Sequence, residues 1–226
     1  MGDFTFVGLA LGANLLIGYV LRRQSLEEWK AAAELCGLES VEAHAWTLKV
    51  KARAGQMEVR LEGSGDKNRP TRIAVAIPGP PAFQGVTILS ASLLETAWGI
   101  ETGDEAFDNA FSIDGPVQFV SALLDGEMRR LWLRLNAECW LQLSSGELRA
   151  HLVDEKAPVL LPRLLEISQR LAQPLDVPRR LAENARLDAK PGVRLHNLLV
   201  LIRELPGDPR TAWALRDACS DSIPEI

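Results

Sequence analysis

An α+β fold behind an N-terminal transmembrane helix is what the sequence predicts, on three observations. Residues 4–21 (FTFVGLALGANLLIGYVL) carry no charged side chain, the text from His44 to Ser90 alternates apolar and polar residues, and the leucines after Pro158 recur at helical spacing. The expected architecture is an N-terminal transmembrane helix, a small antiparallel sheet packed with helices, and a C-terminal helical-repeat-like hairpin. It divides the 226 residues into an anchor (1–23), an α+β domain (24–176) and a helical tail (177–226).

As a helix, residues 4–21 would reach about 27 Å, close to the hydrocarbon thickness of a bilayer. Asp3 stands before the run and Arg22 and Arg23 follow it, the reverse of a cleaved signal peptide. The positive-inside rule then places the short N-terminus outside and the rest of the chain in the cytoplasm, as a single-pass protein of the inner membrane. Phe4 opens the run and Tyr19 sits at its inner interface. Gly8 and Gly12 form a GxxxG pattern and Asn14 can hydrogen-bond across helices, so this face offers a homodimer contact. Membrane lipid is the partner expected through residues 4–21. A buried helix of the domain would instead show a polar face, which the run lacks.

Net charge is −5, with basic residues mixed among acids rather than clustered, which argues against a nucleic-acid footprint. Cys36, Cys139 and Cys219 are odd in number and far apart, in no metal-ligand spacing, and suit buried thiols in a reducing compartment. His44, His151 and His196 are equally scattered, and no cofactor motif is present.

Ser25 and Glu28 form a capping box, and Leu26, Trp29, Ala33 and Cys36 follow at helical spacing up to Gly37. From His44 the period is two: Trp46, Leu48, Val50 and Ala52 against Thr47, Lys49, Lys51 and Arg53. Ala54-Gly55 turns the chain into Met57, Val59 and Leu61, whose neighbours carry complementary charges, so a hairpin is predicted. Ile73, Val75 and Ile77 give a third strand, and Val86, Ile88 and Ser90 a fourth. Pro116 to Gly126 and Met128 to Leu135 read as helices, Trp140 to Leu152 as a second hairpin about Ser145-Gly146, and Pro158 to Leu171 as a longer helix.

The text IETGDEAFDNAFSIDG, Glu101 to Asp114 with its flanks, concentrates acids. Thr102 or Asp104 can cap a helical turn, and Phe107 and Phe111 fall on one face of it. Thr102, Gly103, Asp104, Phe107, Asp108 and Phe111 are read as a structural box. Asp104 and Asp108 are the candidate metal ligands, because hard cations take carboxylate oxygens, although the spacing does not match a calcium loop. No nucleophile or histidine lies near in sequence, so no catalytic residue is assigned.

WKAAAELCGL (29–38), TGDEAFDNAFSIDG (102–115), LLDGEMRRLWLRL (123–135) and the SSGEL hairpin (144–148) together resemble an uncharacterised bacterial domain family. In that family a membrane-proximal tryptophan helix precedes short strands, a TGDxxFDxxF-like box, a leucine-rich helix pair and a terminal hairpin. The likeness covers residues 25–175; it implies fold and membrane association and transfers no catalytic residue. The tail DPRTAWALRDACSDSIPEI resembles the boundary of a HEAT-type repeat. One unit cannot bury its own apolar stripe, so the tail either packs on the main domain or begins a longer repeat array, and the position of Ile226 favours the array.

The function expected is a membrane-anchored cytoplasmic interaction or scaffold module, without catalysis, that binds a protein partner through a sheet edge or the helical tail. The alternatives are a metal-dependent hydrolytic enzyme using the acidic box Glu101 to Asp114, and a lipid or small-ligand binder with Trp98, Trp132 and Trp140 around an apolar pocket.

Overall fold

The computed structural model describes residues 23–44, 49–63, 71–91, 99–152 and 156–220. Helix α1, residues 23–35, buries Leu26, Trp29, Ala32 and Ala33, close to the stripe its spacing predicts. Gly37 stops it at φ +69°: its N–H donates to Glu34 O (2.9 Å) and Leu38 N donates to Ala33 O (3.0 Å). That is a Schellman stop, with Leu38 buried behind it. Since α1 already includes Arg23 and Gln24, Ser25 does not open the helix, and the expected capping box is not its N-terminus.

Eight strands follow among the described residues: β1 (Glu39–His44), β2 (Lys49–Ala54), β3 (Met57–Glu62), β4 (Thr71–Ala76), β5 (Thr87–Ser90), β6 (Phe111–Asp114), β7 (Trp140–Ser144) and β8 (Glu147–Leu152). They form a single antiparallel sheet in the order β1-β2-β3-β4-β8-β7-β5-β6. The small sheet expected from sequence is therefore corrected to a large one. Both predicted hairpins exist. Ala54 pairs with Met57 across Gly55 (φ +60°), and Ser144 pairs with Glu147 across Ser145 (φ +51°) and Gly146 (φ +72°), the two positive φ values of a type I′ turn. Strand β6 was not foreseen: Phe111, Ser112 and Ile113 are all buried, so its text has no alternation to detect. Its outer edge is capped, because Ile100 N donates to Ile113 O (2.9 Å).

One face of the sheet carries Val50, Val59, Leu61, Ile73, Val75, Leu141, Leu143 and Leu148, all buried, beneath α1, α3 (Glu105–Ala110), α5 (Gly126–Asn136) and α6 (Ala157–Leu171). The opposite face carries the intervening charged residues. A short helix, α2 (Pro81–Gln84), plugs one end of the core with Phe83. Helix α5 begins at Gly126, expected to close the preceding helix, because Asp125 caps it by accepting from Met128 N (2.8 Å).

Helix α4 (Val117–Leu123) has two apolar faces. Phe119, Val120 and Leu123 enter the main core, while Ala122 joins a second cluster with Leu181, Ala182, Ala185, Leu198, Leu201 and Ala214. That cluster holds the tail: α7 (Val177–Leu187), α8 (Pro191–Glu204) and α9 (Pro209–Ala218). Each tail helix has a proline in its first turn, where the missing N–H costs nothing. Asp176 and Asp208 cap α7 and α9. The expected hairpin is thus three helices, and their stripe is buried on α4 of the main domain.

The expected transmembrane helix and the inner-membrane location are corrected too. Among the described residues no helix is long and apolar enough to cross a membrane. Arg23, expected as a flanking charge, is an exposed residue of α1. Phe4, Gly8, Gly12, Asn14, Tyr19 and Arg22, and with them the anchor and its dimer face, lie outside the described residues, as do Trp46, Leu48 and Trp98.

Candidate functional site

The acidic box is built around two backbone demands. Asp108, one turn into α3, turns its carboxylate back over the helix start. Oδ1 accepts from Thr102 N (2.8 Å) and Thr102 Oγ1 (2.7 Å), and Oδ2 accepts from Gly103 N (3.1 Å). These donors belong to the two residues before the N-cap, so the carboxylate ties the incoming turn to α3 rather than satisfying the helix's own free amides. Asp104 occupies the N-cap position without capping; its Oδ2 accepts from Arg129 Nε (3.1 Å) instead. Phe107 and Phe111 stack with ring centroids 4.7 Å apart, and Phe111 meets Trp132 edge-on at 5.4 Å. The two candidate metal ligands therefore point to different partners. Among the described residues no group of three His, Cys, Asp or Glu side chains converges to hold a metal ion.

The residue that sequence reasoning missed is Arg129, only 2% exposed. Its Nη1 donates to Leu124 O (2.7 Å) and its Nη2 to both carboxylate oxygens of Asp188 (3.0 Å each). With the Asp104 contact, one guanidinium ties together the start of α3, the end of α4, helix α5 and the C-cap of α7. Asp104 Oδ1 is buried without a hydrogen bond, and Lys190 Nζ stands 4.0 Å from it. Beside this cluster the backbones of Gly103 and Gly192 touch. A Cβ on Gly103 (φ +83°) would lie 2.3 Å from Gly192 O, and one on Gly192 would lie 2.4 Å from Gly103 O. The signal was present: Arg129 lies three residues before Trp132, on its buried face of α5.

The structure also pairs Ser121 Oγ with His196 Nε2 at 2.8 Å, joining α4 to α8. Ser121 is 3% exposed and inside α4, so the pair is a packing contact with no room for a substrate at the hydroxyl. Burial holds the His196 imidazole below its usual pKa, against the opposing pull of Asp108 and Glu101. His151, on the charged face of the sheet, is lowered by burial and then by Arg72 and Arg149. Of the cysteines, Cys139 is buried and its thiol is pushed up to about 12, chiefly by burial. Cys36 is half-buried and Cys219 exposed, so the expectation of three buried thiols holds for Cys139 alone. Trp132 is fully buried and Trp140 is half-exposed, so these two do not line a common pocket.

What the fold does create is a groove of about 600 Å³ between α1 and α6. Ala31, Leu35 and Cys36 form one wall, Pro158, Val159 and Pro162 the other, with Glu28, Glu166 and Gln169 as its polar groups. Leu35 is 90% exposed and Val159 62%. Pro162 inside α6 cannot donate to the Pro158 carbonyl, which leaves an acceptor without its helical donor in the groove wall. The tail also exposes Leu187, Leu199 and Trp213, but Arg186 lies 3.9 Å above the Trp213 ring and screens it.

No protein-family model matches the chain, and no curated protein does. Among solved structures, the chain is similar to the mycobacterial trehalose monomycolate transport factor A. That match has a TM-score of 0.45 at 10% identity, over 70% of this chain and 96% of the other.

Proposed function

We propose that the protein is an interaction module that seats an amphipathic helix from a protein partner in the groove between α1 and α6. The observation that carries this reading is the groove itself: two neighbouring helices present apolar stripes side by side, with a 90% exposed leucine on its wall. A third helix is the element that fills such a seat, through anchors at i, i+3, i+4 and i+7. Single exposed leucines are ordinary; a concave apolar surface that joins an exposed leucine to an exposed valine and two prolines is not. Glu28 and Glu166 among its polar groups favour lysine or arginine beside the partner's stripe.

The test uses Cys36, a native thiol in the groove wall. In a Cys219→Ser background, Cys36 is labelled with an environment-sensitive fluorophore and titrated with a helical peptide bearing a leucine stripe flanked by lysines. Saturable blue-shifted emission is expected. Leu35→Glu, at an exposed position that leaves folding intact, should remove about 2 kcal/mol, roughly thirty-fold in affinity. Equal binding by Leu35→Glu and the parent protein would overturn the reading.

A further inference from the structure

We propose that the dimple over Ala74, on the charged face of the sheet, is a phosphate site that takes the phosphate group of a small phosphomonoester. Its walls follow from register. Ala74 pairs with Arg60 on β3 and with Arg149 on β8, so two arginines flank one small side chain, and Arg72 stands two residues along β4 on the same face. Together with Glu62 and Glu147 they enclose about 280 Å³.

The cations here are not fully answered. Arg60 and Arg149 share one carboxylate, Glu147, while Glu62 is held by Lys49 (3.2 Å). Arg72 lies opposite Glu62 across β3 but forms no ion pair with it among the described residues, Glu62 being held by Lys49. Arg60 Nε is buried without a hydrogen-bond partner, and its second carboxylate, Glu58, forms a looser ion pair with it at 3.5 Å. Across the sheet Arg60 faces Lys51 on one side and Ala74 on the other, so no acid lies directly opposite it. Guanidinium groups that already grip a carboxylate from two sides present the fork that a phosphate accepts.

Register also decides against a polyanion. Beyond the dimple the basic residues are matched: Arg53 lies opposite Glu39 and Glu58, Lys51 opposite Glu42, and Lys49 opposite Glu62. The unanswered charge is local, so it suits one dianionic group rather than a nucleic-acid strand.

The whole chain is titrated calorimetrically with inorganic phosphate and with glycerol 3-phosphate, ionic strength being held constant with chloride. Saturable binding of both is expected. Arg72→Ala and Ala74→Leu, one removing charge and one filling the dimple, should each weaken it by about tenfold or more. Arg53→Ala, on the same face outside the dimple, should leave it unchanged. The assignment is overturned by the absence of saturable heat, by parent-like binding in both dimple variants, by an equal loss in Arg53→Ala, or by a phosphoserine peptide binding where glycerol 3-phosphate does not.

Discussion

Replacing Arg129 should unfasten the tail from the main domain, and the structure sets the scale. The guanidinium makes four hydrogen bonds, three of them to Asp104 and Asp188, whose side chains are 8% and 3% exposed. Arg129→Met keeps most of the volume and removes the charge, so it leaves two buried carboxylates without their guanidinium, with Lys190 4.0 Å from Asp104 and Arg194 held at the Asp188 carbonyl. Breaking a buried ion pair from one side costs about 3–5 kcal/mol, against a total stability of about 5–15 kcal/mol for a domain. Arg129→Lys keeps a charge but cannot reach both acids with a planar fork, and should cost about 2 kcal/mol. Removing the acids as well, in Arg129→Met with Asp104→Asn and Asp188→Asn, should recover much of the loss, because the penalty comes from the stranded charges. Urea unfolding followed by circular dichroism gives the free energies, and amide exchange shows whether α7, α8 and α9 lose protection first. The reasoning fails if Arg129→Met costs less than about 1 kcal/mol, or if the triple variant is no more stable than the single one.

Three further outcomes follow. Gly103→Ala should cost about 3 kcal/mol, combining a 2.3 Å backbone clash with a positive φ, whereas Gly37→Ala, with a positive φ but open space, should cost about 1 kcal/mol; thermal melts of the two compare them directly. Because burial depresses the folded pKa of His196 and His151 below the ordinary 6.5, the unfolded chain takes up protons first. Their contribution is present above that value and lost as pH falls below it, so the melting temperature should drop between pH 7 and 5, and His196→Gln should flatten that slope. With a thiol-reactive chromophore Cys219 should react fastest, Cys36 more slowly, its thiol being raised by burial, and Cys139 only on unfolding; a fast second equivalent from Cys139 would contradict its burial.

Much of the secondary structure was legible because it rests on local chemistry. The alternation in Lys49–Ala54 and Met57–Glu62, the Ser145-Gly146 turn and the aspartates and prolines opening α7 and α9 each say what their own segment does. The number of strands was not legible. β6 is buried on both sides, and β4 pairs with β8 rather than with β5, a choice made by distant segments. The partners of the acidic box were not legible: Asp104 is held by an arginine in α5, and Gly103 by the backbone of a turn in the tail. Nor does an apolar run reveal its own environment, and residues 4–21 looked membrane-spanning on composition alone.

The groove shows where sequence patterning stops being informative. Helix α1 carries two stripes. Leu26, Trp29 and Ala33 enter the core, while Glu28, Ala31 and Leu35, also three and four residues apart, face the groove. On α6, Pro158, Pro162, Leu165 and Gln169 repeat that spacing beside them. On α1 the second stripe alone reads as an ordinary solvated face, since alanine and glutamate are good helix formers with no fixed preference for the interior, and on α6 Leu165 already belongs to the core. Only when the sheet sets α1 and α6 side by side do the two stripes become one concave surface. A surface of that kind is a property of the pairing of two helices, so neither segment could have disclosed it.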